Sequence, residues 1–66
     1  MLLSQYLEDR DLTYLAFGEM IGVTASSVFR YAMGDRIPRR EVMERIVNAT
    51  AGLVQPNDFF EAKAVA

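Results

Sequence analysis

The chain contains no cysteine, no histidine and no tryptophan, and a single lysine, Lys63. Without cysteine, no disulfide staples the fold and no thiolate serves as nucleophile or metal ligand. Without histidine, the commonest general base and the commonest metal ligand are both missing. No apolar run approaches the roughly 20 residues that a membrane span needs. Met1-Leu2-Leu3 lacks the basic start of a secretion signal, and Glu8, Asp9, Arg10 and Asp11 break the apolar pattern after it. A chain this short also has little room for a substrate pocket of about 300 Å³ or more. These absences argue against an enzyme, a metal site or a bound cofactor, and lead to the expectation of a cytoplasmic protein with no membrane partner.

What is present fits one small domain over residues 1–66. Apolar residues make up 52% of the chain, enough to fold. At this size only about 60% of the unfolded surface is buried, so the core is thin and burial against a second copy would help. Seven basic and nine acidic residues give a net charge of −2. That excludes a globally basic nucleic-acid binder but leaves room for a locally basic one.

Punctuation divides the chain into short helices. Leu3, Tyr6 and Leu7 recur at i, i+3, i+4 and predict a first helix of about two turns. Thr13 is a good N-cap for a second helix over about 13–21, with Phe17, Met20 and Ile21 as its apolar stripe. Gly22 suits the left-handed end of that helix. Thr24 caps a third helix over about 24–33, ended by Gly34, with Val28, Tyr31 and Ala32 facing inward. After the loop Asp35-Arg36-Ile37-Pro38, a fourth helix runs from about Arg39 to Thr50 or Ala51. Val42, Ile46 and Ala49 mark one of its faces, and Gly52 stops it. Pro56 begins a last single turn with Phe59 and Phe60, and the tail 61–66 is expected to fray. The fold class is all-α, with four to five helices in a compact domain.

A helix ending in glycine, an apolar residue, then a capped helix is the sequence form of a helix-turn-helix. Phe17 and Ile21 face the core, Gly22 turns, Val23 plugs the corner, and Val28 with Tyr31 anchors the third helix. An ordinary αα-corner would share these features. Gly18, inside helix two, reads as a small residue that lets the two helices approach. With Val28, Tyr31 and Ala32 inside, helical geometry turns Ala25, Ser26, Phe29, Arg30 and Met33 outward. That face suits a major groove, where Arg30 can pair bidentately with guanine. Phe29 can meet a thymine methyl, although packing across the following loop is the favoured reading. The hydroxyls of Ser27 and of the Thr24 cap can donate to phosphate, and the helix N-terminus favours anions.

Charge is polarised along the chain. Glu8, Asp9, Asp11 and Glu19 stand against Arg10 in the first nineteen residues, whereas Arg30, Arg36, Arg39, Arg40 and Arg45 crowd positions 30–45. Arginine forks onto phosphate better than lysine does. For Arg45, an i, i+4 ion pair with Glu41 is the expected partner.

Phe17-Gly18, Ile21-Gly22-Val23-Thr24, Val28 and Arg30-Tyr31, followed by Gly34-Asp35-Arg36-Ile37-Pro38-Arg39, resemble the DNA-binding domain of the phage Cro and cI repressor helix-turn-helix family. The resemblance spans about Leu3 to Phe60. It implies a lambda-repressor-like helix-turn-helix domain whose bases are contacted from Ala25, Ser26 and Arg30. It places Arg36, Arg39 and Arg40, in the loop after helix three and the start of helix four, against phosphate. The first residue of helix two is often Gln in this family, binding backbone and bracing the recognition helix. Here it is Tyr14, whose hydroxyl could reach phosphate. The small residue inside helix two, usually Ala, is Gly18.

The resemblance also implies a homodimer on double-stranded DNA, with Leu53, Val54, Phe59 and Phe60 as candidate interface residues. Closure of the monomer core by those same residues is the equal alternative. The leading expectation is a sequence-specific transcriptional regulator, a repressor. The alternative is a protein-interaction module on the same fold, an antirepressor, antitoxin or co-regulator with little DNA affinity, motivated by the acidic front, Phe29 and Phe59-Phe60.

Overall fold

The computed structural model describes residues 1–65, with side chains through Phe60. Five helices follow one another: α1 (Leu3–Asp9), α2 (Tyr14–Ile21), α3 (Ala25–Met33), α4 (Arg40–Ala49) and α5 (Pro56–Val65). No strand occurs among the described residues. The all-α reading holds, and α2, α3 and α4 begin and end close to where caps and glycines place them.

The core takes side chains from every helix. Leu3, Tyr6 and Leu7 of α1 pack with Phe17 and Ile21 of α2, Val28 and Tyr31 of α3, Met43 and Ile46 of α4, then Val54 and Phe59. Tyr6 meets Phe17 edge to face, with ring centroids 6.2 Å apart. The α2 stripe differs from expectation at one residue. Met20 is exposed, and the buried face of α2 is Phe17, Gly18 and Ile21. Residues 17, 18 and 21 centre the inward face on Ile21, and Met20 lies about 100° round the helix from it, on the outer side.

The end of α4 carries a polar knot that periodicity does not reveal. Thr50 is 1% exposed. Its hydroxyl donates to the Ile46 carbonyl at 2.8 Å and accepts from the Val54 amide at 3.2 Å. Ala51 and Gly52 then take left-handed backbone conformations, and the chain turns Val54 back into the core.

That return corrects half of the candidate dimer interface. Val54 is 0% exposed and Phe59 5% exposed, both inside the monomer. In a chain of 66 residues the core needs them. Leu53 and Phe60 stay on the surface. The last helix is also longer than a single turn, extending from Pro56 to Val65. The expectation of fraying concerns 61–66, which lies outside the described residues at Ala66 and in every side chain beyond Phe60.

Asp58 organises the start of α5. Its carboxylate accepts from the Gln55 amide at 2.8 Å and from the amine of Met1 at 3.0 Å. The Gln55 N–H holds the carboxyl below its ordinary value; partial burial opposes this, and the nearby ammonium reinforces it.

Candidate nucleic-acid interface

The turn between α2 and α3 follows from local chemistry. The Thr13 hydroxyl accepts from the Ala16 amide at 3.0 Å and opens α2. Gly22 closes it at φ 75°, a left-handed conformation that costs glycine nothing. The Val23 amide then donates back to the Gly18 carbonyl at 2.9 Å. A Cβ on Gly18 would stand 2.6 Å from the Val23 carbonyl oxygen. The same Cβ would stand 3.3 Å from the carbonyl carbon of Thr24, the N-cap of α3, so Gly18 admits both the turn and the start of the next helix. The Thr24 hydroxyl accepts from the Ser27 amide at 3.1 Å and starts α3.

The faces of α3 divide as the sequence predicts. Val28 and Tyr31 are buried, and Ser26, Phe29, Arg30 and Met33 are exposed, with Ala25 half-buried. The groups expected at phosphate are less equal. The Thr24 hydroxyl also donates to the Ser27 hydroxyl oxygen at 3.0 Å. Thr24 is thereby committed to the cap, and the hydrogen on Ser27 is the one aimed onward. The first amides of α3 have no carbonyl within the helix to receive them, which suits an anion.

The arginines separate into three roles. Arg36 and Arg39 line one hollow with Tyr31, Ile37, Glu41 and Val42. Arg39 is the N-cap of α4 and provides no side-chain cap, so the first α4 amides are open beside it. Arg40 stands apart, its guanidinium 3.7 Å from Glu44 on a strongly exposed pair. Such a pair has little hold on either partner. Arg45 departs from expectation. Its guanidinium donates to the Ile21 carbonyl at 3.3 Å, across from the end of α2. Helical spacing permits Glu41 with Arg45 and Arg40 with Glu44 alike. A buried carbonyl at the end of α2 gives Arg45 the better partner.

Tyr14 and Phe29 supply a contact that sequence reasoning missed. Their rings meet edge to face, with centroids 5.4 Å apart and planes at 72°. Phe29 thus packs against the start of α2 and not across the following loop. An aromatic at each of two outward positions was the available signal; their proximity depends on how α2 crosses α3.

A family profile described as helix-turn-helix, of the Cro/C1 type, matches residues 3–51. The chain belongs to this family. No curated protein and no solved structure matches it. The Cro/C1-type helix-turn-helix is a DNA-binding regulatory family, and here its matched span covers α1 to α4 and ends at Ala51. The α5 segment, with Phe59 in the core, lies beyond the matched span. Among the described residues, no group of His, Cys, Asp or Glu is arranged to hold a metal ion. No described helix is long and apolar enough to cross a membrane.

Proposed function

We propose that this Cro/C1-type protein is a sequence-specific transcriptional repressor that binds duplex DNA as a homodimer. In this reading α3 lies in the major groove. Arg30 pairs with guanine, Ser26 and Ala25 approach neighbouring bases, and Ser27, Arg36 and Arg39 hold phosphate. Tyr14 offers its hydroxyl at the edge of the same surface, and Arg40 adds a loosely held cation. The observation that carries this reading is the coincidence of an exposed Ser26–Arg30 face with the Arg36–Arg39 hollow that follows it. Glu8, Asp9, Asp11 and Glu19 precede α3, whereas Asp35, Glu41 and Glu44 lie among the arginines, and Glu41 lines the same hollow as Arg36 and Arg39.

The size of the molecule supports a dimer. Its largest extent is 27 Å, whereas successive major grooves on one face of DNA lie about 34–36 Å apart. One chain therefore reaches one groove, and a two-fold site needs a second copy. Leu53 and Phe60, 44% and 54% exposed, are the interface candidates the fold leaves available.

Selection of an operator from random duplexes, followed by binding of two variants, tests the assignment. Arg30→Ala should cost about 1–3 kcal/mol at one base pair and relax specificity there. Arg39→Ala should weaken every sequence alike and reduce the salt dependence. Identical behaviour of the two variants on all sequences would contradict the roles given.

A second reading rests on α2, whose outer surface exposes Leu15 and Met20 beside Glu19. A protein partner seated there would make the chain an interaction module. That reading predicts partner capture insensitive to salt and no affinity for duplex DNA.

A further inference from the structure

The outward face of α3 carries two different lines of side chains. Ser26 and Arg30, one turn apart, are polar. Ala25, Phe29 and Met33 follow one another at single-turn intervals and are apolar. Phe29 and Met33 are 44% and 53% exposed, respectively. Hydrogen-bond readout of base edges gives no use to this apolar line. In the major groove, the apolar group that a base pair presents is the 5-methyl of thymine.

Phe29 is the member of that line whose place is fixed. The edge-to-face contact with Tyr14 holds its ring from the start of α2. A ring held edge to face is confined before DNA arrives, so less freedom is lost on binding. Arg30 is the next residue along α3 and points about 100° further round the helix, so the two side chains address different positions of the same groove.

We infer that Phe29 reads the 5-methyl of a thymine in the same half-site as the guanine taken by Arg30, with Tyr14 as the positioning residue that sets the phenyl ring. The inference rests on the DNA-reading function proposed above. The contact is van der Waals and apolar, and no bond is made or broken.

The test uses the full chain and the operator it selects from random duplexes. Each thymine is replaced singly by uracil, which removes the 5-methyl and leaves the hydrogen-bonding edge intact. One or two thymines per half-site should then bind about fourfold more weakly, the effect of losing one buried methyl. In Phe29→Ala that sensitivity should vanish at the same positions while the preference for guanine at the Arg30 position persists. Phe29→Leu, which keeps an apolar side chain on a helical surface, should retain part of it. Tyr14→Phe should preserve the sensitivity and Tyr14→Ala should diminish it. Uracil tolerated at every thymine would overturn the inference, and so would sensitivity that survives Phe29→Ala. Failure of the wild-type chain to enrich any duplex would instead defeat the DNA-reading function, and the inference with it.

Discussion

The guanidinium of Arg45 lies against the Ile21 carbonyl, 3.3 Å away, and joins α4 to the C-terminal end of α2. The same Nη1 atom stands 3.3 Å from where a Cβ on Gly22 would be. Arg45 thus braces the turn between α2 and α3 from behind. A hydrogen bond from a charged donor, here partly buried, is worth about 1 kcal/mol or somewhat more. Arg45→Ala should lower the urea midpoint accordingly, with no change in m. Its salt slope for DNA should match that of the wild type, because this guanidinium is turned to the Ile21 carbonyl, although the residue as a whole is exposed. A flattened salt slope in Arg45→Ala would show that it faces phosphate.

Gly18 is constrained by the turn it faces. Alanine is the better helix former by about 1 kcal/mol, so an open site would make Gly18→Ala stabilising. The backbone oxygen of Val23, at 2.6 Å from the added Cβ, cannot move without displacing the start of α3. Overpacking of this kind costs about 1–3 kcal/mol. Gly18→Ala should therefore be net destabilising in thermal unfolding, and should weaken DNA binding by tilting the reading helix. A raised Tm would contradict this packing.

The buried Thr50 hydroxyl makes a third prediction. Thr50→Val keeps the shape but removes the acceptor of the Val54 amide and the donor to the Ile46 carbonyl. The Ile46 carbonyl keeps the backbone N–H of residue 50 as a donor at 3.0 Å, so the group left buried and unpaired is the Val54 N–H, at a cost of about 1–3 kcal/mol. Denaturant unfolding of Thr50→Val should show that loss. Equal stability would mean that water replaces the hydroxyl.

The helix-turn-helix itself was legible because each of its signals is local. Thr13 and Thr24 cap within three residues, and Gly22 and Gly34 turn on their own φ angles. What sequence could not decide were partners brought together by tertiary packing. Phe29 finds Tyr14 fifteen positions earlier in the chain, and Arg45 finds Ile21 across the fold. Helical spacing offered two ion pairs on α4 and gave no ground for choosing Arg40 with Glu44. Leu53, Val54, Phe59 and Phe60 are alike in composition terms, and only the turn anchored by Thr50 sorts Val54 and Phe59 into the core.

Asp58 gives the fold a dependence on acid. Its carboxyl is held below the ordinary value of 3.8 by the Gln55 amide, with a further contribution from the Met1 ammonium. A carboxyl with a depressed folded pKa stabilises above the unfolded value. That contribution is lost as pH falls through the lower folded value. Urea unfolding of the wild type across the acid range should show stability falling below 3.8. Asp58→Asn should lose less over the same interval. Parallel profiles for the two proteins would remove Asp58 from the account.

The proposed phosphate-facing surface is built from Arg36 and Arg39 beside the reading helix. A salt titration of wild-type binding to random-sequence duplexes, followed by fluorescence anisotropy, tests it most directly. Two such cations per chain, four per dimer, predict a log–log slope near −3.6, at roughly −0.9 per phosphate neutralised. Arg39→Ala should flatten that slope by about 1.8 per dimer. Absence of binding even at low salt would contradict the account and assign the arginines to another partner.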